Sequence, residues 1–144
     1  MEPSTEKNLG LIETAKSLAN TPWCEQYERM ISGMLNNTCK HNTQDLIHKF
    51  RYDPLAPELM QSRYRARKLM SKYNAPIPDG ISFDDLTQQR EDLLRQLLGQ
   101  VGKGTFIEPP LMVDYGCNTK IGDGFYANFK YAVSTPLLSL FADP

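Results

Sequence analysis

Apolar residues recur at helical spacing in three separate segments of the chain. The first segment is 25–35, the second is 58–73, and the third follows Ser82. In each of them the apolar residues lie three or four positions apart and so share one face of a helix. Those faces are made of Tyr27, Met30, Ile31 and Met34; of Leu59, Ala66, Leu69, Met70 and Tyr73; and of Leu86, Leu93, Leu94, Leu97 and Leu98. We therefore predict three amphipathic helices that must bury these faces against something else.

The boundaries of the second and third helices carry start and stop signals. Pro54 and Pro57 precede or open the second helix, where the missing N–H of proline does no harm. Ser82 is a favourable N-cap for the third helix. Gly99 and Gly102 then mark its end. The pattern predicts helices from Glu58 to Tyr73 and from Ser82 to about Leu98.

Two segments show no such period. Residues 1–24 have weak periodicity, which predicts a mobile N-terminus or a loose helix. Residues 36–51 are mostly polar with a single apolar cluster near their end, which favours a surface loop.

The sequence pattern changes after Gly104, where the helical spacing of apolar residues stops and turn residues become frequent. Tyr115-Gly116 is followed six positions later by Ile121-Gly122. A six-residue repeat of an inward apolar residue and a small residue is typical of the coils of a parallel β-helix. The chain thus combines a helical module with the start of a coiled strand region.

Composition narrows the range of functions. Of the 144 residues 40% are hydrophobic and 23% charged, and the formal net charge is −1, which is the balance of a soluble globular protein. No apolar run approaches the roughly 20 residues that cross a bilayer, and the first residues lack a secretory signal pattern. We expect a cytoplasmic protein that binds neither membrane nor nucleic acid.

One local charge cluster stands out from that balance. Five basic residues fall on the second predicted helix, namely Arg63, Arg65, Arg67, Lys68 and Lys72. A solvated helix face is the commoner explanation. A docking or phosphate-binding surface is the alternative.

Metal and disulfide chemistry have little support. The three cysteines, Cys24, Cys39 and Cys117, form no CxxC pair, and the two histidines are His41 and His48. Cys39-Lys40-His41 is too tight for the usual zinc-ligand spacings, and no second cluster accompanies it. We expect no bound metal.

Several motifs in a fixed order resemble the maltose/galactoside/nodulation O-acetyltransferase family of hexapeptide-repeat acyltransferases. The matching stretches are 27–35, 52–55, 63–69 and 72–74, then Glu108-Pro109-Pro110, Asp114-Tyr115-Gly116, Ile121-Gly122 and Ala127-Asn128-Phe129. The resemblance implies an α+β fold, in which a helical maltose-acetyltransferase-type module over 25–104 precedes the first coils of a left-handed parallel β-helix over 105–129. Enzymes of this family assemble as trimers.

The same resemblance implies an activity and a set of acceptor contacts. Members of the family transfer an acetyl group from acetyl-CoA, a cosubstrate that is not tightly bound, to a sugar hydroxyl. Carried over, the substrate-binding residues are Asn128, Tyr126, Asp114 and Asp53, whose amide, hydroxyl and carboxylate groups suit sugar hydroxyls. Other roles stay open, since Asn128 could satisfy backbone groups, Tyr126 could be core, and Asp53 could cap a helix.

The chain also departs from the family pattern in two places. Residues 36–51 are an apparent insert, and 130–144 form a divergent tail without the hexapeptide register. No histidine follows Phe129, so the family's general base has no counterpart, and no residue is assigned to catalysis or to acetyl-CoA. We expect a truncated and inactive family member, forming a homotrimer or a mixed trimer with an intact paralogue. The alternatives are a non-catalytic sugar-binding or trimer-interfering relative, and a helical interaction module.

Overall fold

The computed structural model describes residues 4–36, 51–129, 132–133 and 139–141. The helices in this part are α1 (Leu9–Lys16), α2 (Glu25–Ile31), α3 (Pro57–Tyr73) and α4 (Phe83–Leu97). The strands are short: β1 (Leu35–Asn36), β2 (Arg51–Tyr52), β3 (Gln100–Val101), β4 (Phe106–Ile107), β5 (Met112–Val113), β6 (Thr119–Ile121), β7 (Tyr126–Ala127), β8 (Ala132–Val133) and β9 (Ser139–Phe141). The chain is therefore a mixed helix-and-strand protein, as its sequence predicts.

Strands β3 to β9 form three parallel ladders with one common register, and we call them the strand stack. The ladders are β3-β6-β9, β4-β7 and β5-β8. The paired residues lie 20 positions apart in every ladder, as in Gln100↔Lys120, Phe106↔Tyr126 and Met112↔Ala132. Successive 20-residue segments thus lie directly above one another. The stack begins at Gln100, five residues before the start at 105 that the sequence predicts.

The predicted helices are confirmed, with small changes at their ends. Helix α3 begins at Pro57, one residue before the predicted start, and ends at Tyr73. In α4 the Ser82 hydroxyl accepts the N–H of Asp85 at 3.1 Å, the capping bond that its position predicts. Helix α2 stops at Ile31 rather than continuing to Leu35, because Gly33 adopts a left-handed conformation with φ of 78°.

Helix α1 lies in the segment 1–24, for which the sequence leaves a mobile N-terminus or a loose helix open. Ile12 and Ala15 are buried against the Tyr27 and Met30 side chains of α2. Lys7 also bonds the carboxylates of Glu25 and Glu28. Within α1 the buried residues are Ile12 and Ala15, and they belong to the same cluster as Tyr27, Met30 and Ile31 of α2.

The main core lies between α3, α4 and the inner side of the strand stack. Its helical part consists of Ala66, Leu69, Tyr73, Leu94, Leu97 and Leu98, and its strand part of Ile107, Leu111, Val113, Ile121 and Ala127. Burying a leucine or isoleucine contributes about 1.5–3 kcal/mol relative to leaving it exposed. The apolar faces of α3 and α4 are therefore buried on the strand stack.

Polar side chains at the end of α3 tie the helix to the backbone of the strand stack. The Tyr73 hydroxyl donates to the carbonyl oxygen of Ile107 at 2.6 Å. The Asn74 amide donates to the carbonyl of Leu111 and accepts its N–H, each at 2.8 Å. Asn74 therefore behaves as an extra strand residue toward the 107–111 segment, which contains the cis Pro109–Pro110 bond.

Two glycines allow backbone segments to approach closely. A Cβ on Gly102 would overlap the backbone of Gly122 and Asp123 in the next 20-residue segment. A Cβ on Gly116 would overlap the carbonyl of Leu97, and its φ of 77° also disfavours a side chain. Glycine at these positions lets the stack close on itself and on α4.

Some expectations concern residues outside the described ranges. The proposed insert lies there except at its ends, where β1 and β2 pair in parallel as Leu35↔Arg51 and Asn36↔Tyr52. Cys39, His41 and His48 lie outside as well, and so does most of the tail 130–144. Among the helices that the structure does describe, none has the length and apolarity needed to span a membrane.

A pair of glycine substitutions tests the close approach in the strand stack. We expect Gly102→Ala to lower the free energy of unfolding by about 3 kcal/mol or more, because the added methyl overlaps neighbouring backbone. Gly124→Ala is the matched control. Its φ is 67° but its surroundings are open, so it should cost only about 1–2 kcal/mol. Urea unfolding followed by circular dichroism measures both, and equal losses would contradict the packing argument.

Alkaline stability offers a second test of the core. Burial raises the pKa of the Tyr73 and Tyr115 hydroxyls and of the Cys117 thiol to about 12, and raises the pKa of Tyr27 further. The unfolded chain releases these protons near the ordinary values of 10.0 for tyrosine and 9.0 for cysteine. The folded state then binds more protons, so stability is complete below about pH 9 and falls as the pH rises toward 12.

The urea midpoint should accordingly drop between pH 8 and pH 11, the upper part of the range that these pKa shifts define. Tyr27→Phe removes one of the groups and should make the drop shallower. Tyr64→Phe removes an exposed hydroxyl and serves as the control. A midpoint that stays constant across this range would be inconsistent with the burial of these hydroxyls.

Candidate functional site

The outer side of the β4-β7 ladder carries two of the residues expected to bind the acceptor. Side chains alternate along β7, so Ala127 points into the core while Tyr126 and Asn128 are exposed. Tyr126 retains 61% of its accessible surface. Tyr126 is therefore not a core residue, so the alternative that it serves the core of the strand stack is excluded.

An aromatic row runs beside these two residues. The rings of Phe106 and Tyr126 are nearly parallel, at an interplanar angle of 5° and a centroid distance of 6.3 Å. The ring of Phe83, at the start of α4, lies 6.4 Å from that of Phe106. Phe106 and Tyr126 meet because the 20-residue register sets them opposite each other.

Polar groups flank the aromatic row on the same side. The Asn128 Oδ1 accepts the N–H of Phe129 at 2.8 Å, which orients its amide group. The N–H of Glu108 donates to the carbonyl of Ala127 at 2.9 Å, so Glu108 lies beside Asn128 across the ladder. We call Phe106, Glu108, Tyr126 and Asn128 the outer-face cluster.

The outer-face cluster combines two kinds of chemistry. Aromatic rings pack against the C–H faces of a ligand, while amide and carboxylate groups bond its hydroxyls. A polyhydroxylated ring needs both kinds of contact. The expected substrate-binding residues include Tyr126 and Asn128 but neither Phe106 nor Glu108, although Glu108 opens the Glu108-Pro109-Pro110 motif. A 20-residue offset between aromatic positions is the signal that could have found Phe106.

Asp114 lies in a different part of the molecule. It follows β5 and is half-buried beside Tyr115, which belongs to the second buried cluster together with α1 and α2. The Arg63 guanidinium carbon lies 5.7 Å from the centre of the Tyr115 ring. Burial raises the pKa of Tyr115 to about 12 and the charge of Arg63 opposes that rise, so the phenol is neutral at physiological pH.

Asp53 makes a local turn before α3. Its carboxylate accepts the N–H of Leu55 at 2.9 Å, and its own N–H donates to the side-chain oxygen of Gln26 at 2.6 Å. The N-cap of α3 is Ala56, which makes no side-chain capping bond, so Asp53 is not the helix cap. One carboxylate oxygen of Asp53 is therefore engaged in shaping the chain.

The four expected residues thus fall into two pairs. Tyr126 and Asn128 share the outer-face cluster, whereas Asp53 and Asp114 flank the cluster of buried aromatic residues around Tyr115. Tyr52, the neighbour of Asp53, packs against that buried cluster. Within the described ranges, no hydrogen bond or ion pair joins a side chain of one pair to a side chain of the other.

No imidazole occurs in the described part of the chain, since both histidines belong to the range 37–50. The described cysteine thiols offer no clear substitute. Cys117 is fully buried, bonds Asn118 at 3.4 Å, and burial raises its pKa to about 12, which keeps the thiol protonated at neutral pH. No group of three or more potential metal ligands occurs among the described side chains either.

Comparison with known proteins gives these features a context. A family model described as the maltose acetyltransferase hexapeptide capping motif matches residues 47–102. The galactoside O-acetyltransferase of Escherichia coli is 33% identical over 75 residues, which cover 52% of this chain and 34% of that protein. The sophorolipid acetyltransferase of Starmerella bombicola is 26% identical over 147 aligned positions, covering 99% of this chain and 51% of that protein.

The fold has relatives among solved structures as well. A hexapeptide-repeat acetyltransferase from Vibrio cholerae, solved with acetyl coenzyme A, superposes with a TM-score of 0.53 at 21% identity. The match covers 62% of this chain and 44% of that protein. The chain spans about half the length or less of the curated relatives it matches. In its capping motif and in these relatives, the chain resembles the maltose/galactoside/nodulation O-acetyltransferases, which are hexapeptide-repeat proteins.

Proposed function

We propose that the chain belongs to an enzyme that transfers an acetyl group from acetyl-CoA to a hydroxyl of a sugar. The observation that carries the proposal is the outer-face cluster, where the stacked rings of Phe106 and Tyr126 lie beside the oriented amide of Asn128 and beside Glu108. The resemblance to a family of acetyltransferases supplies the reaction type, and the cluster supplies a surface suited to the acceptor.

Tyr126 and Asn128 are the proposed primary contacts to the sugar. The Asn128 amide would bond an acceptor hydroxyl, and the Tyr126–Phe106 pair would pack against the C–H face of the ring. Tyr126 lies on the paired strand β7 and Asn128 comes directly after it, next to a backbone hydrogen bond between Glu108 and Ala127, so the backbone sets the separation of the two side chains. Such rigid positioning is what lets an enzyme present one hydroxyl rather than another.

Asp53 and Asp114 are retained as proposed acceptor contacts from a neighbouring subunit. Asp53 follows β2 and Asp114 follows β5, whereas Tyr126 lies on β7 and Asn128 directly after it. An assembly would bring both pairs to one acceptor. A homotrimer, or a mixed trimer with an intact paralogue, would be such an assembly. The exposure of Phe83, Tyr126 and Phe129, between 61% and 71%, is consistent with a face that another chain covers.

The strand stack is the proposed beginning of a left-handed parallel β-helix. Its three parallel ladders and its constant 20-residue register support a coil of three sides. The helical module over 25–104 would then cover the first coil. Acetyl-CoA would be a cosubstrate bound transiently, and the cytoplasm the place where it is available.

We also propose that these 144 residues alone do not transfer acetyl groups. A general base must come within hydrogen-bond reach of the hydroxyl that it deprotonates. The two histidines of the sequence, His41 and His48, belong to the segment without a counterpart in the family motifs. A non-catalytic relative that binds sugar, or one that interferes with trimers of a paralogue, is the second candidate and shares the same outer-face cluster.

Sugar binding tests the proposed acceptor surface independently of catalysis. With the 144-residue chain and maltose or a galactoside as probes, Asn128→Ala should weaken binding about 5- to 10-fold, the effect of about 1–1.5 kcal/mol for one lost hydrogen bond. Tyr126→Ala should weaken it by a similar factor. Titration followed by nuclear magnetic resonance chemical shifts measures the affinities.

Lys120→Ala is the matched control for these variants, because Lys120 is an exposed residue on β6, in a different ladder. Its affinity for the sugar should equal that of the unmodified chain. If the sugars bind and neither Asn128→Ala nor Tyr126→Ala weakens the complex, the acceptor surface lies elsewhere.

Catalytic competence is tested by the release of coenzyme A thiol in the presence of acetyl-CoA and a panel of simple sugars. We expect the 144-residue chain to release thiol no faster than the uncatalysed background, since both histidines of the sequence belong to a segment that the family motifs lack. His41→Ala and His48→Ala should leave that rate unchanged. Sugar-dependent turnover that disappears in His48→Ala would refute the proposal and assign the base to that residue.

A further inference from the structure

The outer surface of α3 carries a groove that the acetyl-transfer proposal does not use. The groove has a volume of about 330 Å³ and lies between α3 and the C-terminal part of α4. Its lining consists of Gln61, Tyr64, Arg65, Lys68, Leu69, Lys72 and Gln96. Three of these side chains are cationic and none is a carboxylate. We call it the α3 groove.

The three cations of the α3 groove, Arg65, Lys68 and Lys72, form no ion pair in the described part of the chain, whereas four other basic residues do. Lys7, Lys16, Arg29 and Arg95 each form an ion pair with a glutamate. Within the described ranges, no carboxylate comes within ion-pair distance of Arg65, Lys68 or Lys72. Like charges four residues apart on a helix, such as Lys68 and Lys72, repel each other and destabilise the helix. The groove therefore concentrates positive charge on a protein whose net charge is −1.

Two of the groove's cations are held in position. The Arg65 guanidinium donates to the Asn20 side-chain oxygen at 2.7 Å and also bonds the carbonyl of Gln96. The Lys68 ammonium lies 5.6 Å from the centre of the exposed Tyr64 ring. Neither contact neutralises the charge, and both restrict the side chain that carries it. Restricting a donor before a ligand arrives lowers the entropy cost of binding.

A cavity next to the α3 groove indicates where in the groove an anionic ligand would bind. A second cavity of about 350 Å³ adjoins the groove and shares Gln61 and Arg65 with it. That cavity is lined by Trp23 and by the carboxylate side chain of Glu58, so it is less suited to an anion. An anionic group is thus directed to the end that holds Lys68 and Lys72, and the size of the groove fits a small molecule.

We propose that the α3 groove binds a soluble small molecule that bears phosphate groups, through Arg65, Lys68 and Lys72. Phosphate oxygens accept several charge-assisted hydrogen bonds at once, which a cluster of one guanidinium and two ammonium groups supplies. The α3 groove shares no residue with the outer-face cluster, so the proposal of a phosphate site does not depend on the proposal of sugar acetylation.

Pyrophosphate is the probe for the test, titrated calorimetrically into the 144-residue chain at about 150 mM salt, where weak surface attraction is largely screened. We expect saturable binding with one site per chain. The double variant Lys68→Ala/Lys72→Ala should raise the dissociation constant at least tenfold. Its helix content, measured by circular dichroism, should be unchanged because both lysines are exposed and alanine favours helix.

Arg67→Ala and Lys103→Ala form the matched control pair. Arg67 lies on the same helix outside the groove, and Lys103 lies in the strand stack, so together they remove the same charge as the double variant. Their combined effect on the dissociation constant should be less than twofold. Equal losses in both double variants, or the absence of saturable binding, would overturn the proposal.

Vesicles that contain phosphatidylinositol phosphates distinguish a soluble ligand from a lipid headgroup. We expect the chain to bind pyrophosphate without sedimenting with such vesicles. Binding to the vesicles that depends on Lys68 and Lys72, with no binding of pyrophosphate, would overturn the assignment of a soluble ligand.

Discussion

The parallel pairing of segments 20 residues apart is the constraint on which most of this structure depends. Hydrogen bonds between β3 and β6 and between β4 and β7 set one segment directly above another. Side chains that are distant in sequence then become neighbours, as Phe106 and Tyr126 do. Since strand side chains alternate, the same register decides which residues enter the core and which face outward. A shift by one residue would exchange Ala127 with Asn128 and destroy both the core and the outer-face cluster.

The helices supply hydrogen bonds to backbone groups that the strand ladders leave without partners. Short parallel strands cannot satisfy every backbone group themselves, and buried polar groups without partners are costly. Asn74 bonds both backbone groups of Leu111, and Tyr73 bonds the carbonyl of Ile107. On the other flank, the Tyr27 hydroxyl donates to the buried Asn118 side chain at 2.9 Å. The helical module thus contributes specific hydrogen bonds as well as apolar surface, which fits its description as a capping motif.

The division of the polar residues into separate surfaces has consequences for function. The outer-face cluster is suited to a polyhydroxylated acceptor, while the α3 groove concentrates cations that no acid balances. These surfaces are built from different elements, so a substitution in one leaves the other intact. Asp53 shapes a turn before α3, and Asp114 lies next to the buried Tyr115. Neither of them belongs to the outer-face cluster with Tyr126 and Asn128.

Much of the local structure was determined by the sequence alone, because it depends on neighbours in the chain. Proline at the start of α3, the serine cap of α4 and the leucine spacing within α4 act over a few residues, and these helices form where the sequence predicts them. The order of motifs likewise indicated the resemblance to hexapeptide-repeat acetyltransferases. For the segment of α1 the sequence left a mobile N-terminus or a loose helix open, and Ile12 and Ala15 of this helix are buried in one cluster with residues of α2. Only the tertiary structure decided that Phe106 meets Tyr126, that Asp114 lies apart from Asn128, and that Lys68 and Lys72 line a groove. Each of these depends on contacts between residues that are distant in the chain, whose geometry follows from packing and register and leaves no local trace.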